Sequence, residues 1–551
     1  MTSALRGRWH LVLPLLGLII SLPLLLTPAA HPSLRLIRIG LLVSIVLAVP
    51  LLYWLRTLRE LSEQRAWRLV WLLMVGFAVA MLLVAWMQVR YLHGLAIDTG
   101  IFTNVLYNTQ HGHFFYCDNY KASHFAVHNS PILFLSYLIY LLVPGHWPMI
   151  ILVILGLAAS ALVVYQIVRN WLAPGPSVVM TAAYLFNPVI ISQAMPEFHE
   201  MNLAPLPLAL TLYYFLRQRF GLYMLWFAVL LTIKESMAIT CFMLAAAALV
   251  SRRRWWWLAI PAIAAVGWGI ISLDVVIPHF STGDSAKVIE RLFGQKTIAG
   301  AVAYMLTHPL AVARHVGIKQ LAHAYLMVVT WGGVPLLVSA YSLLAVPHLA
   351  LLLVMENYFT LHLWDSSLFG PVLALATAHG IHRLQDMLLR RWGERPRALP
   401  IQMAGLALCL GLGSCFVWLH PADFQKPANL EAIKHAIRLV PDEVPLTVTA
   451  ELMSYLHKRE ILRPAPFWYA ETQPYSEYLL IVWDDANREY LLNDITNRSK
   501  DRLRYWDELI RALSADEKPC GYELIFAQDD VYLARRGKSP ADPEEAVQHD
   551  R

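Results

Sequence analysis

Between two long apolar runs, the stretch from Tyr91 to Pro131 reads YLHGLAIDTGIFTNVLYNTQHGHFFYCDNYKASHFAVHNSP and carries Asp98, Asp118, Lys121 and five histidines. Ionisable groups at the mouth of an apolar helical bundle mark a functional site by default, the alternative being a solvated connection between spans. Asp98 is the residue best suited to chemistry. A carboxylate fixed just above a bilayer could serve as general base toward an acceptor hydroxyl, or hold a divalent metal against a phosphate leaving group. The plainer reading is a helix cap, since Asp98 precedes TGIFTNVLYN and Asp caps helices well. His124 and His128 close the stretch and could contact a ligand, although their spacing alone is weak.

Other polar interruptions offer further chemistry. In PEFHEMN, Glu197, His199 and Glu200 bring the carboxylates and neutral imidazole that suit a divalent metal such as Mg or Mn. His199 and Glu200 do not open a zinc-protease HExxH, because Leu203 stands where its second histidine would be. Lys234 and Glu235, in IKES, admit two readings: an ion pair tying helices together, or a point charge for a lipid-linked phosphate with Glu235 orienting it. ENYFTLHLWDSS supplies Glu356, His362 and Asp365. Arg291 and Lys296 are phosphate-binding candidates in the mixed region 278–323, where solvated charges are the alternative.

Composition says what must position these groups. Hydrophobic residues make up 58% of the 551, charged residues 15%, and the mean hydropathy is +0.50. Apolar runs of about spanning length recur from Leu11 to His420, so the chain is a polytopic α-helical membrane protein. The net charge of +6 would suggest nucleic acid in a soluble chain. Here the arginines gather at the ends of apolar runs as topology signals, and no nucleic-acid partner is expected.

That topology puts Arg56–Arg68 inside, Tyr91–Pro131 outside, and each later inward turn beside arginines, ending with about 13 spans, the N-terminus inside and the C-terminus outside. LVLPLLGLIISLPLLLTPAA imitates a signal peptide but is read as a retained span, since an equally apolar run follows. SPILFLSYLIYLLV is short and ends at Pro144-Gly145, which suggests an interfacial helix. Three regions result: an N-terminal helical pair (1–68), a transmembrane module with external loops (69–420) and a soluble tail (421–551). In the tail, helices are expected at 429–439 and 501–513 and strands at 445–449, 478–483, 522–526 and 531–533, a small α/β domain. Cys117 and Cys520 could pair if both are extracytoplasmic, though nothing in the sequence places them together.

The segments DTGIFTNVLYNTQHGHFF, HFAVHNSPILFL, PEFHEMNLAPLPLALTLYY and LLTIKESMA resemble the bacterial predicted membrane proteins grouped as domain of unknown function 2079. LVPDEVPLTVTAELMSYLHKREIL before YLLIVW looks like that family's terminal domain, so the resemblance runs roughly from Leu69 to Leu533. The family in turn is similar to the C-type (GT-C) glycosyltransferases, which use polyprenyl-phosphate sugars on the outer face and carry a catalytic Asp in the first external loop. The resemblance implies a GT-C-like bundle in the bacterial inner membrane with an extracytoplasmic tail, and it puts the catalytic carboxylate at Asp98. It also matches the segment from His128 to the stretch leading into a second surface helix. Asn129-Ser130-Pro131 after His128, and two extra spans before Leu69, depart from the pattern.

The expected partners are therefore a polyprenyl-phosphate-linked sugar, membrane lipids and envelope-assembly proteins. A transporter or lipid-handling protein is the alternative. Such proteins usually hold ionisable groups near the midplane and show repeats, whereas these groups favour the external ends. A third reading is an envelope scaffold whose tail binds a partner.

Overall fold

The computed structural model describes residues 42–44, 46, 48, 50, 52, 55–92, 97–281, 304, 307–354, 364–393, 396–415, 424–465, 476–485, 487, 488 and 499–537. Its first long helix, α1 (Glu63–Arg90, 28 residues), is nearly continuous apolar sequence. It starts on an acid and ends on a base, as the helix dipole favours. After it come α2 (Ile97–Gln110), α3 (Leu133–Leu142), α4 (Trp147–Val168), α5 (Pro174–Leu185) and α6 (Pro188–Gln193). Helices α7 (Pro205–Leu216) and α8 (Phe220–Leu231) pack as a hairpin, as do α9 (Met237–Val250) and α10, which runs from Trp256 to Ile270.

The mixed region 278–323 was expected to begin outside the helix that precedes it. Instead α10 continues through the π-turn Ile271–Val276 into Ile277–Phe280. A wider i→i+5 turn accommodates Pro278, which has no N–H to give, without ending the helix. Beyond lie α11 (Pro309–His315), α12 (Ile318–Val329), α13 (Val334–Val338), α14 (Val346–Val354), α15 (Phe369–Trp392) and α16 (Leu399–Ser414). A side chain at Gly380 would strike the Pro335 carbonyl, so the crossing of α13 and α15 requires glycine there.

Against about 13 expected spans, three helices among the described residues are long and apolar enough to cross a bilayer: Glu63–Arg90, Trp147–Val168 and Trp256–Phe280. Several other expected spans form shorter apolar helices, among them α8, α9 and α16. The apolar run Ser177–Ala194 is broken at Phe186-Asn187, where the Asn187 side chain accepts the Val189 N–H at 3.1 Å and starts a second helix at Pro188. The ten residues of α3 are too few to cross. The protein is a polytopic α-helical membrane protein whose C-terminal part adds a β-sheet.

The chain divides into two compact units. One, the helical unit, contains residues 1–86, 125–136 and 149–423. The second contains residues 87–124, 137–148 and 424–551. In this second unit a short antiparallel pair, β1 (Tyr116–Cys117) and β2 (Ala122–Ser123), lies in the early loop. The tail builds α17 (Leu430–Leu439), β3 (Leu446–Thr449), β4 (Leu462–Ala465), β5 (Tyr478–Val482), α18 (Ser499–Ser514), β6 (Tyr522–Gln528) and β7 (Val531–Arg536).

The sheet order is β4-β3-β5-β7-β6, with β4, β3 and β5 parallel and β7 antiparallel to β5 and β6. Strands β3 and β5 are buried at every residue, as central parallel strands are. Trp506, Leu509, Ile510 and Leu513 of α18 pack on Leu479, Ile481 and Ala534 to form the sheet's core. Asp529 and Asp530 take φ of 50° and 61° in the tight β6–β7 turn, the left-handed pair that fits such hairpins. Cys117 is buried, Cys520 exposed, and both are free thiols.

Candidate functional site

In the second unit, α2 begins at Ile97, so Asp98 is its second residue rather than its cap. An acid in the first turn still benefits from the helix dipole. Thr99 through Asn108 are all buried, while Asp98 is partly buried, with Oδ2 shut off from the surface.

The same helix is clamped along one face. A side chain at Gly100 would collide with Met453. One turn on, Asn104 donates its amide to the carbonyls of His457 at 3.0 Å and Arg459 at 2.6 Å. Another turn on, Asn108 donates to Glu460 and Tyr116, both at 3.2 Å. Asp118 and Arg463 close the contact as an ion pair at 2.6 Å. His124 is buried with its ring centre 5.2 Å from that of Phe102, in the same unit as Asp98.

The helical unit gathers a second set of groups around the turn between α8 and α9. His128 Nδ1 lies 2.9 Å from Glu235 Oε1, and the Asn129 N–H donates to Oε2 at 3.0 Å. Asn129 also donates its amide to Ser272 Oγ at 2.8 Å, anchoring the segment to the π-turn of α10. Ser130 Oγ donates to Glu200 Oε1 at 3.3 Å, and Lys234 Nζ lies 3.8 Å from the same oxygen. Lys234 thus faces Glu200, while Glu235, its neighbour in sequence, is held by His128 and Asn129.

Burial pushes the Glu200 carboxyl above the ordinary range, against the positive charges of Lys234 and His128. Burial acts on Glu235 in the same direction, but the charge and hydrogen bond of His128, with Lys234 behind them, outweigh it and hold the acid down to about 2. Two carboxyls of one cluster are thereby driven apart, one toward the neutral form and one toward the ionised form.

His199 turns Nδ1 to the backbone, accepting the Met201 N–H at 3.2 Å. Among the described residues no group of three or more His, Cys, Asp or Glu side chains is gathered to hold a metal ion. Of the three residues expected as ligands, His199 and Glu200 stand side by side, with His199 Nδ1 3.2 Å from Glu200 Oε2, while the Glu197 backbone carbonyl accepts the Asn202 side-chain amide at 3.3 Å. Arg291, Lys296, Glu356 and His362 lie outside the described residues, and Asp365 is described only as backbone of the short helix Trp364–Leu368.

Sequence reasoning missed Asn129 and Ser130 as the groups that hold the two carboxyls, and Asn104 and Asn108 as clamps. The departure from the family pattern after His128 was the one available signal for the first pair. The spacing of Gly100, Asn104 and Asn108, four residues apart on one helical face, was the signal for the second.

A family model described as a predicted membrane protein (DUF2079) matches residues 88–511. No curated protein matches the chain by sequence. Two crystal structures of ArnT from Cupriavidus metallidurans are similar over most of the chain at 11% identity. The form bound to undecaprenyl phosphate has a TM-score of 0.41 and covers 85% of this chain and 99% of its own. The apo form has a TM-score of 0.42 and covers 84% and 99%.

Proposed function

The chain belongs to the DUF2079 family of predicted membrane proteins, and from that premise we propose that it is a membrane glycosyltransferase with a GT-C-like bundle. Its donor is a polyprenyl-phosphate sugar, and its acceptor an envelope lipid, glycan or protein on the extracytoplasmic face of the inner membrane. Asp98 accepts the acceptor hydroxyl's proton as the new bond forms at the anomeric carbon, and the polyprenyl phosphate leaves with the electrons of the broken sugar–phosphate bond. Within the helical unit, Lys234 is the point charge proposed for a lipid-linked phosphate.

The observation that supports this reading is the setting of α2: ten consecutive buried residues fix the helix, and its first turn carries Asp98, the one residue of that turn that is both acidic and only partly buried. A general base has to be fixed and reachable at once. Asp98→Asn keeps the shape and removes the base. Product formation in membranes should fall by about 10²–10⁴-fold while expression stays normal and the donor lipid accumulates. Unchanged product would sink the assignment.

One observation favours the alternative of transport or lipid handling. Glu200 is fully buried with Lys234 3.8 Å away in the helical unit, and buried ionisable pairs are what transporters use. Under that reading Asp98→Asn leaves the envelope glycans intact, whereas Lys234→Met abolishes function.

A further inference from the structure

Two turns, Leu216–Phe220 and Val250–Trp256, close the α7/α8 and α9/α10 hairpins at one end of the helical unit. Both pass through a left-handed residue, Gln218 at φ 57° and Arg252 at φ 48°. Arg253 ties the turns together. Its guanidinium lies 5.4 Å from the Phe215 ring centre and 5.8 Å from that of Trp257, and Nη2 donates to the Phe215 carbonyl at 3.4 Å. Phe220 packs edge-on against Trp257 with ring centres 4.9 Å apart, completing an aromatic floor.

The same two turns carry Arg217, Arg219, Arg252 and Arg254, all exposed. Arg217 lies over Tyr213 at 5.4 Å and Arg254 over Trp256 at 4.9 Å, which orients their guanidinium planes. No Asp or Glu occurs in residues 201–233 or 236–273, and among the described residues none of the five arginines has a carboxylate partner. Five like charges in two adjoining turns repel one another, and an anion among them relieves that repulsion. Stacked guanidinium forks suit phosphate oxygens in particular.

The surface beside the collar decides which anion. Trp255 is 73% exposed, and Ile260, Ile263, Val266 and Ile270 continue from it as an exposed apolar stripe along α10. A charged collar joined to an aliphatic stripe matches a phosphate head joined to acyl chains. We propose that this collar is a binding site for the headgroup of an anionic phospholipid, whose acyl chains lie along α10.

The test uses the purified full chain in detergent, with phosphatidylglycerol, phosphatidylcholine or inorganic phosphate as probe, reading retained lipid by native mass spectrometry and the unfolding midpoint. Phosphatidylglycerol should be retained and raise the midpoint, while phosphatidylcholine and free phosphate do neither. R252Q and R254Q, each altering an exposed side chain, should weaken retention about fivefold each, with the lipid-free midpoint unchanged. The site is overturned if phosphatidylcholine serves equally, if free phosphate competes at equal concentration, or if both variants retain phosphatidylglycerol as the wild type does. Should one variant unfold, the other decides the outcome.

Discussion

Glu200 and Glu235 show how little of an acid's behaviour its own side chain decides. Glu235 is ionised because His128, Asn129 and Lys234 surround it, and Glu200 is pushed toward neutrality because burial prevails there. Glutamine imitates a protonated carboxyl, so Glu200→Gln should change stability by less than about 1 kcal/mol. Glu235→Gln removes the counter-charge of a buried set and should cost about 3 kcal/mol in detergent unfolding at neutral pH. The pH dependence has a definite sign. With its acid held down to about 2, against 4.5 unfolded, Glu235 contributes stability above pH 4.5 that is lost as pH falls toward 2. Glu200, shifted the other way, contributes below pH 4.5 and loses that contribution as pH rises through its folded value. The wild-type midpoint should therefore drop on acidification below pH 4.5, and E235Q should flatten the drop; a parallel curve would refute the assignment.

The charged members of this cluster were legible in the sequence, since Lys234, Glu235, His199 and Glu200 stand out against apolar surroundings. Their pairing was not. Adjacent residues in a turn point in different directions, so Lys234 meets an acid 34 positions away rather than its neighbour. Asn129 and Ser130 were passed over because neutral polar residues raise no alarm in a loop.

At the scale of elements, the stripe of Gly100, Asn104 and Asn108 fastens α2 to residues 453–460. Asn104→Ala deprives two buried carbonyls of their donor, a loss of about 2 kcal/mol. Hydrogen exchange at 453–463 should accelerate accordingly, by about 30-fold. Exchange at the wild-type rate would mean that the clamp is held elsewhere. Periodicity announced the tail's helices and four of its strands, because alternation and continuous apolar runs are local signals. Strand β4, reading LRPA, escaped notice because an arginine and a proline disguise an edge strand. The π-turn in α10 escaped because Pro278 looked like a stop, and the break at Asn187-Pro188 escaped because hydropathy alone joins the apolar runs on either side of it.

At the scale of the molecule, the tail shares its compact unit with the loop that carries Asp98. A chain ending at residue 423 should leave residues 97–124 without the surface that buries them, and protease should cut there while sparing the same stretch in the full chain. Equal resistance of both forms would show that the loop folds unaided. This partnership was beyond reading from the sequence, since it joins segments whose polarity looks unrelated.

The clamp also sets an order of events. Asn104 and Arg459 lie 355 positions apart in the chain, so the early loop must wait through the synthesis and insertion of nearly all the helices before its partner exists. Such long-range closure is slow and comes last. The partly buried Asp98 thus reaches its final setting only when residues 453–463 have been made.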